Sequence, residues 1–472
     1  MGVDTARRRF GVLAILCSSI LVVAMDNTIV NVALPAIRSD LGASISGLQW
    51  TVDAYTLVLA CFLMLAGATG DRLGRKRILL TGLVLFGLGS LLCSLAPSIG
   101  WLVAARIVQA LGGAMLNPVA MSIITNVFTD PGERARAIGV WGSIVGISLG
   151  VGPVLGGVLT EGIGWRAIFW VNVPVVLAAL VLTARYVPES RAARSRRPDP
   201  VGQALVVVLL GSVVTAVIEG QRLGWGSPFI LGLFGIGVVA LIGLIRWEIR
   251  RREPLIELRF FRSAPFSSAT VSAVCGLAAF GTFLFLSPLY LQEVRGLSAL
   301  QSGLMLLPTA VAATICAPLS GRIVAARGAR IPLLAAGFSM TAVAIVLTTA
   351  SVTTPLWVLA VAYGVFGLGF GLLNPPITNA AVSGMPLSQA GVAAAVASTS
   401  RQVGQTLGVA IAGTILAAAA VPLVGYAAAW WAVAGGTTLI IVLAIAGTTA
   451  WAKAGADRVA RRFADEPAGE PV

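Results

Sequence analysis

Charged side chains lie inside the apolar stretches of this chain. Asp26 stands in SSILVVAMDNTIVNVALP, Ser18 to Pro35, within an apolar run that begins at Phe10; Asp53 stands in WTVDAYTLVLA, and Arg106 in RIVQALGGA. A charge at the centre of a membrane span costs roughly 2.5 to 3.5 kcal/mol on insertion scales, so each calls for a partner, a proton or a cargo. Asp26, with Asn27 and Asn31 beside it, can hold a proton in one conformation and release it in another; the alternative is a carboxylate kept for one inter-helix hydrogen bond. Asp53 reads either as a second acid of this kind or as a solvated residue near the start of its helix. A guanidinium stays charged, so Arg106 must face an acid, a carbonyl or water. The chain has no histidine, which excludes imidazole catalysis and imidazole metal ligation. Its cysteines, Cys17, Cys61, Cys93, Cys275 and Cys316, have no paired spacing and read as small core hydrophobes. No metal, no cofactor and no enzymatic activity are expected, and without a G-x-x-x-x-G-K-[ST] phosphate loop the energy source is expected to be a proton gradient rather than ATP.

The elements that hold these residues follow from composition. The 472 residues are 57% apolar and 11% charged, with a mean hydropathy of +0.92, far from the balance of a soluble protein. Fourteen apolar segments are long enough to cross a bilayer, near 11–35, 49–69, 78–97, 101–123, 137–160, 167–186, 201–219, 228–247, 266–291, 300–325, 331–350, 356–378, 391–419 and 428–451. The first is read as a retained span, not a signal peptide, since it is long, lacks a small-residue cleavage site and holds an acid. Basic residues gather in alternate connections: Arg7 to Arg9, Arg72 to Arg77, Arg134 and Arg136, Arg185 to Arg197, Arg246 to Arg262, Arg322 to Arg330, and Lys453 to Arg462. The other side keeps only Arg38, Arg166, Arg222 and Arg295. That bias puts both termini in the cytoplasm and accounts for the net charge of +14 without a nucleic-acid-binding face. Lysine occurs only at Lys76 and Lys453, a usage that suggests a GC-rich bacterial genome and hence a multi-pass protein of the bacterial cytoplasmic membrane.

The spans repeat. AGATGDRLGRK, Ala66 to Lys76, lies over SGRIVAARGAR, Ser320 to Arg330, at an offset of 254, with Gly74 on Gly328; Asn117 and Pro118 lie over Asn374 and Pro375 at 257; GISLG from Gly146 lies over GQTLG from Gly404 at 258. Three ordered matches mark two similar bundles with a site at their interface. The offset is too long for six spans, so 201–219 and 228–247 are read as extra. The expected organisation is a six-helix bundle at 1–198, a two-helix insertion at 199–262, a second six-helix bundle at 263–452 and a cytoplasmic tail at 453–472.

Several motifs have local readings. In GDRLGRKR, Gly70, Asp71, Gly74 and Arg75 read as a conformational latch, with Asp71 lying against the positive N-terminal end of a neighbouring helix; a basic loop that merely obeys topology is the alternative. In GISLGVGPVLGG, Gly146 and Gly150 extend a glycine face from Gly142, with Gly152, Gly156 and Gly157 continuing it and Pro153 bending the helix, a surface expected to pack on the ninth and tenth spans. A substrate cavity is assigned to the polar side chains Asn27, Asn31, Tyr55, Gln109, Asn117, Asn374, Arg401 and Gln405. Arg401 either attracts an anionic or zwitterionic group or is a structural residue near the cytoplasmic end of its span. Glu219 reads as an exposed helix-end residue.

MDNTIVNVALP, GDRLGRKR, RIVQALGGA, GISLGVGPVLGG and WRAIFWVNVP together resemble the major facilitator superfamily, and within it the fourteen-span drug:proton antiporters of the EmrB/QacA type. The resemblance covers nearly the whole chain. It implies an all-α polytopic membrane protein with two pseudo-symmetric six-helix bundles and two extra helices. It also implies proton coupling through Asp26, Asp53 and Arg106, with Arg106 acting on a nearby carboxylate, and an exporter signature in GISLGVGPVLGG. Members that export divalent cations tend to carry an acid in the helix matching 300–325, which here has none. The expected function is proton-coupled export of drugs, antibiotics or secondary metabolites by a monomer whose partners are lipophilic small molecules, protons and lipids. A narrow metabolite carrier or proton symporter of the same fold is the alternative. A sensor, scaffold or intramembrane enzyme explains neither the repeat nor the short loops.

Overall fold

Helix ends in this chain are set by capping chemistry more than by where an apolar run stops. The computed structural model describes residues 2–192, 199–251, 254–382 and 387–449, with Ala452, Ala454, Gly455 and Arg458 beyond them. Most of the tail expected at 453–472, and Arg194, Arg196, Arg197 and Arg252 of the basic connections, lie outside the described residues. Among the described residues all regular structure is helical.

The chain divides into two compact units. The first comprises residues 1–203 and 284–310. It holds α1 (Gly2–Leu41), α2 (Ile45–Leu73), α3 (Arg75–Ser94), α4 (Ile99–Val127), α5 (Pro131–Gly162), α6 (Ala167–Trp170) and α7 (Asn172–Tyr186), and it begins α8 (Pro200–Leu223). The second, residues 204–283 and 311–472, holds most of α8, α9 (Pro228–Arg250) and most of α10 (Ala264–Leu289). The end of α10 and α11 (Ala299–Met305) belong to the first unit. The second then runs through most of α12 (Leu307–Arg327), α13 (Arg330–Thr348), α14 (Leu356–Val382), α15 (Leu387–Ala418) and α16 (Pro422–Ala446).

The starts follow side-chain signals. Ser44, Ser98 and Ser227 accept from the amides of Gly47, Trp101 and Ile230, and Asp130 accepts from Glu133 with Pro131 opening α5. Ser298 and Gln301 form a reciprocal capping box at α11. Helices therefore overrun the apolar segments: the run expected at 11–35 is Gly2–Leu41, and that at 137–160 is Pro131–Gly162. Two expected spans are broken. The span at 167–186 is α6 and α7, joined at Val171 ahead of Pro174, and the span at 300–325 is α11 and α12, joined at Leu306 ahead of Pro308. Thirteen spans among the described residues are long and apolar enough to cross a membrane. The fourteenth expected, 391–419, is the helix α15, whose hydropathy is lowered by Arg401, Gln402 and Gln405 in its middle.

In the first unit α4 packs on α2 and α3, and α1 on α5 and α7. A buried core of Leu16, Leu79, Phe86, Leu116 and Ile123 joins them. Gly89 and Gly112 let the α3 and α4 backbones touch, since a methyl group on Gly89 would strike the Gln109 backbone and one on Gly112 the Phe86 amide. In the second unit α13 packs on α14 and α16, while the glycines Gly404 and Gly408 seat α15 on Val274 and Ala278 of α10. α8 joins this unit through a Thr414 hydroxyl that donates to the Val217 carbonyl at 2.8 Å. Pro376 within α14 has no N–H for the Leu372 carbonyl, and the Ser320 hydroxyl of α12 takes its place at 2.8 Å. The repeat is visible at the turns: Gly74 (φ 120°) and Gly328 (φ 82°) occupy the left-handed region at corresponding junctions, α2 to α3 and α12 to α13.

Candidate functional site

Arg106 and Gln109 lie one turn apart on α4 and point the same way, toward α1. The Arg106 guanidinium donates from Nη1 to Asp26 Oδ2 at 2.5 Å and to Gln109 Oε1 at 2.7 Å, and from Nε to the Thr51 carbonyl of α2 at 3.1 Å. Gln109 Nε2 donates to Asp26 Oδ1 at 2.8 Å and to the Ser90 hydroxyl of α3 at 2.9 Å. Asn172, at the start of α7, donates to the same Oδ1 at 3.1 Å. The guanidinium carbon sits 4.2 Å from the centroid of the Tyr55 ring and 5.8 Å from that of Phe169. Asp26 is 0% and Arg106 1% exposed. The cluster thus draws on five helices and on α6, and each charge has lost its water. Such a pair breaks even only when its remaining hydrogen-bonding capacity is met, and removing one partner costs about 3 to 5 kcal/mol.

The arrangement refines several expectations. Tyr55 and Gln109, assigned from sequence to a substrate cavity, are parts of the buried ion cluster. Asn172, Ser90 and the Thr51 carbonyl were not anticipated, although Asn172, a polar residue within the apolar run IFWVNVPVV, was a readable signal. Asp53 is not a solvated helix-start residue: it lies two turns into α2 and is fully buried, because α2 begins at Ile45 behind the Ser44 cap. Its Oδ1 meets the Thr56 hydroxyl at 3.4 Å, while Oδ2 is buried with no hydrogen-bond partner among the described residues. Asn31 donates to the Asn27 carbonyl at 3.0 Å, within α1, and its own Oδ1 is likewise unmatched. Asn27 and Asn117 are half-buried in the first unit. Asn374, Arg401 and Gln405 belong to the second, and Glu219 there is mostly buried and paired with Arg222 at 2.6 Å.

The α2–α3 turn gathers Asp71, Gly74 and Arg75 with Glu189. The Asp71 carboxylate holds Arg75, one turn on, at 2.8 Å. The acid at the N-terminal end of α3 is Glu189, which accepts from the Lys76 amide at 3.1 Å. The segment carrying Glu189 is pinned by two backbone bonds, Arg75 amide to Ser190 carbonyl and Ala192 amide to Asp71 carbonyl. Gly70 lies under Val119 of α4, and a methyl group on Gly74 would meet the Glu189 carboxylate at 2.9 Å.

The glycines of α5 form two faces, not one. Two residues advance a helix by about 200°, so Gly152 and Gly156 lie opposite Gly150. Gly152 and Gly156 face Met25, Thr28 and Ile29 of α1. Gly150 faces Ala310, and Gly157 lies where a methyl group would meet the Ala299 carbonyl and Leu300 at 2.6 Å, while Gly303 of α11 is seated against the Pro153 backbone. Gly142 has nothing near it, and Gly146 is half-buried. Around this contact Arg38 pairs with Glu293 at 2.9 Å, Gln292 donates to the Val32 carbonyl at 2.9 Å, and Glu161 accepts from the Leu300 amide at 3.2 Å. The far ends of α1 and α5 are therefore strapped to residues 292–303.

Comparison with known proteins agrees in fold and in family. Residues 16–409 match the family model described as Major Facilitator Superfamily. The chain is 39% identical over 396 residues to the multidrug resistance protein Stp of Mycobacterium tuberculosis, covering 84% of this chain and 73% of that protein. It is 36% identical over 412 residues to the methylenomycin A resistance protein of Streptomyces coelicolor, covering 85% and 84%. The crystal structure of a peptide transporter POT in complex with sulfate superposes with a TM-score of 0.68 at 17% identity, over 96% of this chain and 95% of that one, a likeness of fold alone.

Proposed function

Because the chain belongs to the Major Facilitator Superfamily, we propose that it is a multi-pass transporter of the bacterial cytoplasmic membrane, working as a monomer with both termini inside, that exports drugs, antibiotics or secondary metabolites in exchange for protons. The cargo class rests on the relatives, which are named for resistance to several drugs and to methylenomycin A. The coupling rests on one observation: inside its helices the first unit buries two carboxylates, of which Asp26 has a guanidinium and Asp53 has none among the described residues.

The two acids then divide the work. Asp53, with one hydroxyl contact and an unmatched oxygen, carries the proton in the conformation described. Asp26 reports the state of Arg106: while the pair is closed, α1, α4 and α7 are held together, and a proton on Asp26 would free the guanidinium and let α1 move against α4. Proton and cargo compete for the same or coupled carboxylates, which is the linkage antiport requires. No residue of this chain supplies a phosphate-binding loop, so a protonophore should abolish efflux in cells that still hold ATP.

The test is transport in everted vesicles with and without an imposed pH gradient. Asp53→Asn removes the proton and little else. We expect it to insert, to bind cargo and to equilibrate it, but to lose accumulation against a gradient. Uphill transport at the parent rate by Asp53→Asn would remove Asp53 from the mechanism.

A further inference from the structure

Arg401, midway along α15, is a guanidinium that pairs with no carboxylate among the described residues. From Leu258 to Ala456 the sequence contains one carboxylate, Glu293, and that one is paired with Arg38 in the first unit. None of the helices α10 and α12 to α16 carries an Asp or a Glu. Within the second unit Arg401 is half-buried, and its Nη2 donates to the Thr378 hydroxyl of α14. That hydroxyl is itself turned to the Asn374 carbonyl at 3.1 Å, so it receives the guanidinium with a lone pair and contributes no charge. Arg401 Nε is buried with no hydrogen-bond partner among the described residues.

The contrast with Arg106 is direct. There a fully buried guanidinium has a carboxylate, an amide oxygen and a backbone carbonyl; here, among the described residues, one neutral hydroxyl accepts from a guanidinium with five N–H groups. A guanidinium inside a span is costly without an anion, and its planar fork is shaped for an oxyanion. A packing role does not account for it either. The repeat places Ser143 at the corresponding position of α5, and the Ser143 hydroxyl bonds only the Gly139 carbonyl of its own helix, so the shared architecture manages without a cation there.

We propose that Arg401 is the docking point for an acidic group of the cargo, so that the transported compounds carry a carboxylate or an equivalent oxyanion. The Nε–H and the unused Nη N–H groups receive the oxyanion, and Thr378 holds the guanidinium edge toward it. Organic dications are disfavoured by the same charge. The inference deepens the efflux reading by naming a substrate class, and it rests on that reading for the word cargo.

The experiment measures binding of a lipophilic aromatic carboxylic acid dye and of its methyl ester to the full-length protein in nanodiscs of zwitterionic lipid. On the parent the acid should bind about ten-fold more tightly than the ester. In Arg401→Gln, checked for an unchanged melting profile, the two affinities should converge, and Arg401→Lys should restore part of the preference. Equal affinities on the parent, or an acid preference that survives in Arg401→Gln, would overturn the assignment. A further arm adds phosphatidylglycerol: if the anionic lipid erases the acid preference of the parent, the site belongs to a lipid phosphate and the cargo assignment falls, whereas an unchanged preference upholds it. Efflux is measured separately in everted vesicles. Absence of proton-driven efflux with the acid preference intact defeats the efflux reading and leaves Arg401 as an oxyanion site.

Discussion

The internal repeat sets two clusters side by side for comparison. An offset of 257 carries Asp26, Arg106 and Gln109 onto Phe283, Tyr363 and Phe366, and an offset of 258 carries Asn172 onto Trp430. In the first unit those four residues converge through charge and hydrogen bonds. In the second their counterparts converge as rings: Phe283 lies 4.6 Å from Phe366 and 4.9 Å from Tyr363, and Trp430 lies 6.5 Å from Phe283, centroid to centroid. The helix packing that brings four positions together is common to both halves. The chemistry placed there is not. One half holds a buried ion pair at this crossing, and the other fills it with stacked and edge-on rings.

The comparison can be broken most forcefully at the charges. Arg106→Gln leaves Asp26 buried without its cation and should destabilise the protein by about 3 to 5 kcal/mol, seen as a lowered melting temperature in detergent, while Asp26→Asn with Arg106→Gln recovers most of the loss. If the double variant is no better than the single, the two charges are not a coupled pair. Next in size, Phe283→Asp puts an acid at the matching position of the aromatic cluster, where no arginine waits. It should cost about 2.5 to 3.5 kcal/mol and reduce the amount of inserted protein. The glycines sharpen the comparison from the other side. Gly156 of α5 and Gly408 of α15 each abut the first helix of their own half, so Gly156→Leu and Gly408→Leu should cost similar amounts, about 1 to 3 kcal/mol each by thermal melting. Damage confined to one half would mean that the glycines are not a shared packing device. The smallest effect is expected at Glu189→Gln, which removes a charge from the N-terminal end of α3 and should lower stability by about 0.3 to 1 kcal/mol, less at high salt; no counterpart of Glu189 exists in the second half.

Much of the fold could be read from sequence because a bilayer leaves few choices: long apolar runs must be helices, basic connections show their sidedness, and the repeated GDRLGRK and NP positions reveal two halves. Asp26, Asp53 and Arg106 stood out individually because a charge in an apolar run is conspicuous. That Asp26 and Arg106 meet, and that Asp53 meets no cation among the described residues, depended on which faces of α1, α2 and α4 turn inward, and weakly amphipathic helices in lipid give little sign of that. The α5 glycines were grouped on one face because the i+4 series from Gly142 was continued past Gly150 to Gly152, a step of two that crosses the helix. Glu189 was passed over because an acid in a polar connection resembles any other. The breaks at Val171 and Leu306 were hidden since each prolonged apolar run continues through the proline that ends its helix.

The buried pair also sets a schedule for how the protein is made. Asp26 is followed by Arg106 only after 80 residues and by Asn172 only after 146. At roughly 5 to 20 residues per second the ribosome takes about 4 to 16 seconds to deliver the guanidinium after the carboxylate has been translated. Through that interval α1 must be retained at the insertion machinery or sit in the bilayer with an unmatched acid. Release of the first helices into lipid is thereby tied to the arrival of the fourth, and a nascent chain stalled after α3 carries Asp26 without its cation, in addition to Asp53.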